Sequence, residues 1–191
     1  MGIRSFLAFE LPPEIREQIE EISRELRQSR LPARWVRVEN IHLTIVFLGS
    51  IEANVVEDLK ETVGSVVRGF TGVAVKLSGV GVFPNVRKPR VLWIGLDGDR
   101  EGLSRLRDEL QQALTVFGLR EEKRPFQAHL TLGRFKDRLD DDEELKRVLE
   151  RYHDIASELH SLHELVLFKS DLKPSGPVYT KMASWPLIEA K

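Results

Sequence analysis

The tripeptide His-Leu-Thr occurs twice, at His42-Leu43-Thr44 and, 87 positions later, at His129-Leu130-Thr131, and the segments around the two copies recur in the same order. Leu7, in the apolar run Ile3 to Phe9, lies 35 residues before His42; Ile94, in the run Val91 to Leu96, lies 35 residues before His129. A chain that repeats strand, helix and His strand at one spacing is confined to folds built by duplication, here of an αβ unit of roughly β-α-β-α-β. Two such units related by a pseudo-twofold axis set their motifs across a groove.

Both motifs read as short strands, because apolar and β-favouring residues dominate each run and a glycine, Gly49 or Gly133, closes it. A strand sends residues i and i+2 to one face. His42 therefore shares a face with Thr44, and His129 with Thr131, while Leu43 and Leu130 point the other way into a core. Each strand offers one titratable ring and one hydroxyl, roughly 6.5–7 Å apart along the backbone. A single copy reads as a buried strand with a hydrogen-bonded histidine; the pair with matching flanks points to a site.

In chain order, Pro12 and Pro13 open a helix with Ile15, Ile19, Ile22 and Leu26 on one stripe. Trp35 to Val38 is a short extended piece before the first motif. A second helix is expected over Glu52 to Phe70 through Val55, Leu59, Val63 and Val66, followed by a strand through Val73, Val75 and Leu77. In the second half Asp97-Gly98-Asp99 supplies turn and capping chemistry for a helix with Leu103, Leu106, Leu110 and Leu114, which Gly118 ends. An acidic start at Asp140, Asp141 and Asp142 opens a last helix striped by Leu145, Leu149, Tyr152 and Ile155. A strand near Glu164 to Lys169, the loop Lys173 to Pro177 and the run Val178 to Trp185 make a hairpin. No Gly- or Ser-rich linker separates the copies, so residues 1–191 are expected to form a single bilobal domain with sequence halves of about 1–86 and 87–191.

Charge and composition remove several function classes. At net −1 the chain is no polybasic nucleic-acid coat, and with no cysteine it has no disulfide framework, thiolate nucleophile or Cys-containing zinc site. No signal-peptide core precedes Glu10 and Pro12, and no apolar stretch approaches membrane length, so a cytoplasmic protein with no membrane partner is expected. Two histidines supply concerted acid-base chemistry near neutral pH, one ring accepting a proton while its mate donates one. Opposed groups suit in-line displacement at phosphorus, and the hydroxyls of Thr44 and Thr131 can donate to equatorial phosphoryl oxygens. No metal or other cofactor is then required. An acyl-transfer site would need a serine and a carboxylate orienter near one histidine, and nothing nominates them.

The doubled motif does not stand alone. The opening Phe6-Leu7-Ala8-Phe9-Glu10-Leu11-Pro12, the approach Arg34-Trp35-Val36, the exit Phe47-Leu48-Gly49, and Phe83-Pro84-Asn85 leading to Pro89-Arg90-Val91-Leu92-Trp93 accompany it. With these blocks the whole chain resembles the LigT-like branch of the two-histidine phosphoesterases, the RNA 2',3'-cyclic phosphodiesterases once called 2'-5' RNA ligases. The resemblance implies an α+β fold, bilobal, with two antiparallel sheets facing a central cleft and helices on the outside. It also implies hydrolysis of a terminal 2',3'-cyclic phosphate, on RNA ends or nucleotides, to a 2'-phosphate. By that resemblance His42 protonates the departing 3' oxygen and His129 activates water; spacing alone does not assign these roles, because the half-sites are symmetric.

Arg134 stands five residues after His129, a spacing that turns it off the His face of a regular strand unless Gly133 marks a bulge. The family pattern often carries arginine there, so Arg134 is a candidate phosphate contact, with a surface ion pair as the other reading. Arg30, Arg34 and Arg37 around Trp35, and Arg87, Lys88 and Arg90 after Phe83, interleave charge with aromatics as an RNA-end grip would, or are solvated loops beside core aromatics. His153, His160 and His163 straddle a helix end without metal-ligand spacing and read as surface histidines. Asp140 to Asp142 match a helix dipole, and Tyr179, in Val178-Tyr179-Thr180, is noted near the groove without being nominated for the site. Two other functions stay open: an RNA-end-binding module without turnover, and joining of tRNA halves by the reverse reaction. The chain is expected to act as a monomer, with no protein partner implied.

Overall fold

The computed structural model describes residues 2–136, 139, 142–174 and 176–189. Ile3–Phe9 forms β1 and Pro13–Gln28 forms α1, with proline in its first turn and Ile15, Ile19, Ile22 and Leu26 buried. Burying such side chains stabilises by about 1.5–3 kcal/mol each. Ala33–Trp35 is β2, a 3-10 turn covers Val38–Asn40, and Leu43–Ile51 is β3. Then follow α2 at Val56–Val67, β4 at Val73–Phe83, β5 at Val91–Gly98, α3 at Arg100–Leu114 and β6 at His129–Phe135. The chain closes with α4 at Glu143–Arg151, β7 at His160–Leu162, β8 at Glu164–Lys173 and β9 at Gly176–Pro186.

The strands make two antiparallel sheets, one in the order β3-β1-β8-β9 and one in the order β2-β6-β5-β4-β7. The duplication is visible in the pairing of β1 with β3 and of β5 with β6. The strands that complete each sheet are exchanged: β4, from the first half, pairs with β5, while β8, from the second half, pairs with β1. Both sheets therefore contain both halves of the chain. Helices α2 and α3 touch each other and cover the first sheet through β9 and β3. On the second, α4 packs on β4, and Arg151 and Tyr152 bond Glu25 of α1. One core runs through the molecule, with Leu7, Phe9, Leu43, Leu77, Ile94 and Leu130 among its buried residues.

Some local expectations shift. A 3-10 turn at Ala53–Val55 precedes α2, so the helix starts at Val56, and Val56 and Val67 are buried where Val55 and Val66 are only half-buried. In α4 the buried residues are Leu145 and Val148; Leu149 is half-buried, and Ile155 lies past the helix. Gly118, at φ 81°, ends a 3-10 turn at Thr115–Phe117 that extends α3. Asp99 caps α3 by accepting from Gly102 N at 2.8 Å, and Asp142 caps α4 by accepting from Leu145 N at 3.0 Å. Asp140 and Asp141 lie outside the described residues. No helix among the described residues is long and apolar enough to cross a membrane.

Candidate active site

On β3, Leu43 and Ile45 enter the core while Thr44 and the preceding His42 face the other way, half-buried. Leu130 and Leu132 do the same on β6, leaving His129 and Thr131 half-buried on the opposite face. Each imidazole is fixed by a carbonyl two residues earlier: His42 Nδ1 donates to Asn40 O at 2.8 Å and His129 Nδ1 to Gln127 O at 2.7 Å. A carbonyl only accepts, so Nδ1 carries hydrogen in both rings and Nε2 is left free.

The strands also share an irregularity. Leu92 pairs with Gly133 and Trp93 with Thr131, so Leu132 has no partner on β5. Leu7 pairs with Val46 and Ala8 with Thr44, so Ile45 has none on β1. The extra residue returns the next outward side chain to the His face, which is Arg134 on β6 and Phe47, 67% exposed, on β3. The bulge expected near Arg134 is thus present, but Leu132 is its extra residue. Gly133 serves contact instead, since a Cβ there would lie 3.1 Å from the ring of Trp35.

Aromatic rings line both histidines. Phe6 stacks on His42 with centroids 4.7 Å apart, and Tyr179 meets it edge-on at 5.2 Å. Phe6, Ala8, Val166 and Phe168, with Tyr179, form an apolar cluster separate from the main core. Phe83 meets His129 edge-on at 4.9 Å, and Trp93 lies 6.4 Å away. Gly81 lets the indole lie flat, because a Cβ there would fall 2.3 Å from it. Tyr179 and Phe83 thus each meet one imidazole edge-on, from strands that are not equivalent in the two sheets, and only Tyr179 carries a hydroxyl.

Burial lowers the pKa of His42 to about 4, against a smaller upward pull from the Asn40 carbonyl. Burial also lowers that of His129, the Gln127 carbonyl opposes it, and the Arg134 cation adds to the lowering. Both rings are neutral near pH 7. Burial raises the Tyr179 phenol, while the cations of Arg134 and Arg4 pull it down. Arg134 therefore acts both on His129 and on the ring that touches His42. Backbone continuity agrees: β2 pairs with β6, Val36 N donates to Leu132 O at 2.9 Å, and the chain then crosses to β3 in the other sheet. Strands β3 and β6, which carry the two motifs, are in contact where the sheets meet.

Of the other nominated residues, Arg34 pairs with Arg134 across the strands, whereas Arg30 is exposed and Arg37 pairs with Glu39 at 3.6 Å. Arg87 and Lys88 are exposed in a turn whose backbone N–H groups donate to Asn85 Oδ1, and Arg90 donates to Lys136 O at 2.9 Å. His153 and His163 are exposed; His160 is half-buried in β7, with Glu14 3.9 Å away. Among the described residues no group of three or more His, Cys, Asp or Glu could hold a metal ion. Tyr179 does reach His42. Arg4 on the cleft face of β1 and the two orienting carbonyls were not nominated; the i−2 spacing of the carbonyls is the signal that could have found them.

Comparison with known proteins gives a consistent picture. The model of the LigT like phosphoesterase family matches twice, over residues 9–93 and 94–179. The chain is 31% identical over 182 residues to an RNA 2',3'-cyclic phosphodiesterase of Methanothermobacter thermautotrophicus, covering 95% of this chain and 97% of that one. It is 32% identical to the protein of that name from Methanocaldococcus jannaschii, with 96% and 100% covered. Among solved structures, E. coli LigT complexed with 3'-AMP superposes with a TM-score of 0.77 at 27% identity, over 98% of this chain and 99% of that one.

Proposed function

The chain belongs to the LigT like phosphoesterase family, and on that premise we propose that it is an RNA 2',3'-cyclic phosphodiesterase that opens cyclic phosphate ends to a 2'-phosphate by paired-histidine acid-base catalysis. One observation carries the reading: each imidazole is pinned through Nδ1 by an i−2 carbonyl, which leaves its Nε2 free for proton transfer.

His129 Nε2 takes a proton from water as its oxygen attacks phosphorus, the bond to the 3' oxygen breaks, and His42 Nε2–H protonates that oxygen. Charge growing on the non-bridging oxygens is met by the hydroxyls of Thr44 and Thr131 and the guanidinium of Arg134. These donors supply what a divalent cation would, so the reaction needs no metal. The free protein holds His42 neutral, and the arriving phosphate anion stabilises the imidazolium form that donates. The substrates are RNA ends or nucleotides with a 2',3'-cyclic phosphate, met in the cytoplasm by a monomeric, single bilobal domain spanning 1–191. The strand exchange between its halves supports that unit.

The test is product analysis with a short RNA ending in a cyclic phosphate, run with chelator. Wild type should release the 2'-phosphate, and His42→Ala and His129→Ala should each abolish turnover. Unchanged rates in both variants would refute the reading, and salt-dependent RNA binding without turnover would select a binding module instead.

A further inference from the structure

Arg34 on β2 lies directly opposite Arg134 on β6. Residues so paired send their side chains to one face, with Cβ atoms about 4.5–5.5 Å apart, and like charges in that position repel. Among the described residues neither guanidinium has an ion-pair or hydrogen-bond partner; neighbouring pairs form elsewhere, between Arg37 and Glu39, Lys169 and Asp171, and Lys181 and Glu10. Two uncompensated, exposed cations side by side are a cost that a bound anion removes.

The two arginines do not address the same point. Arg134 acts inward, on His129 and Tyr179. Arg34 reaches outward from the sheet edge, its Nη2 3.8 Å from where a Cβ on Gly176 would stand. Gly176 opens β9 opposite Lys173, and Asn40 Nδ2 donates to the adjacent Pro177 O at 3.1 Å. Arg34 thus spans from the edge of one sheet to the hairpin of the other, one strand farther than Arg134 from the β6 strand that carries His129.

Resting on the function proposed above, with Arg134 at the terminal phosphate, we propose that Arg34 holds the phosphodiester on the 5' side of the terminal nucleotide. Adjacent guanidinium forks then meet adjacent phosphates of one RNA strand, each able to bond two phosphoryl oxygens. The subsite makes oligoribonucleotide ends, rather than free nucleoside cyclic phosphates, the preferred substrate.

The experiment compares kcat/KM on a nucleoside 2',3'-cyclic phosphate with kcat/KM on a trinucleotide ending in the same group. Wild type should favour the trinucleotide, and Arg34→Met should cut that preference about 10- to 100-fold, the range expected for losing a charge-assisted hydrogen bond. The trinucleotide's salt dependence should drop by about 0.7 in slope, one phosphate contact on a single strand. Arg34→Gln repeats the loss with a polar side chain, and Arg34→Lys should fall between, keeping charge without the fork. A wild type without preference, or an Arg34→Met protein that keeps it or slows both substrates equally, overturns the proposal. His42→Ala and His129→Ala on the nucleoside substrate report on the parent reading separately, since that substrate has no 5' phosphodiester.

Discussion

The ring of Phe6 lies 19° from parallel with that of His42, centroids 4.7 Å apart, so one face of the imidazole is shut off from water. Burial is the main cause of the low His42 pKa. Phe6→Ala should move that pKa from about 4 upward toward its ordinary value, as read from imidazole NMR shifts across the acid range. It should also cost about 3–5 kcal/mol of stability, because a buried ring is lost. An unmoved titration would assign the desolvation to Phe168 and Tyr179 instead.

Stability should depend on pH through the same ring. The unfolded chain protonates His42 near 6.5, the folded chain only near 4, so the unfolded state binds more protons between these values. The contribution from neutral His42 is complete above pH 6.5 and is lost as pH falls through about 4. At 1.36 kcal/mol per pKa unit it amounts to about 3 kcal/mol. Denaturant midpoints at neutral and acid pH should converge for His42→Gln relative to wild type; a parallel decline would exclude His42 as the source.

The proposed mechanism needs His42 charged and His129 neutral, yet His42 shows the larger depression in the free protein. The productive microstate is then a minority, and kcat/KM should be bell-shaped with its maximum on the acid side of neutrality. The acid-side inflection of kcat should lie at higher pH than that of kcat/KM, because bound phosphate favours imidazolium. Coincident inflections would remove substrate-assisted protonation from the mechanism.

Arg134→Met removes a cation from both His129 and Tyr179. The His129 pKa should rise, since the Arg134 charge contributes to lowering it. KM should also rise, with kcat/KM falling about 10- to 100-fold as a charge-assisted contact is lost. A weakened enzyme with an unshifted His129 titration would place Arg134 farther from the ring than the cleft geometry has it.

Gly81→Ala puts a methyl group 2.3 Å from the indole of Trp93, which must move and disturb Phe83 and His129. Overpacking of this kind costs about 1–3 kcal/mol. Melting temperature and turnover should both fall, and Trp93→Leu in the same background should recover part of the stability. Additive losses would show that the two positions are uncoupled.

Much of this was legible in the chain. The period-2 alternation of each motif set His42 and Thr44, or His129 and Thr131, on one face, and the stripe from Ile15 to Leu26 is buried as expected. Sheet membership was not legible, because strand pairing is a long-range choice that no local pattern encodes: nothing in Val73 to Phe83 says that its partner is Val91 to Gly98. The bulge was half legible. Gly133 marked the place, but the extra residue is Leu132, since the glycine was needed to admit Trp35. The Arg34 and Arg134 pairing was hidden for a related reason, as a three-residue strand leaves too little pattern to reveal its neighbour.

The crossing of β4 and β8 between the halves bears on how such a molecule could have arisen. Before the two copies were fused, a half-length ancestor with this connectivity would have completed its sheets by lending strands to a twin, as an intertwined homodimer with identical imidazoles on both walls. Such a pocket would be blind to which end of a ribose entered first. Fusion freed each wall to drift, and a phenyl stacked on one ring where an indole at the matching offset stands 6.4 Å from the other records that release from symmetry.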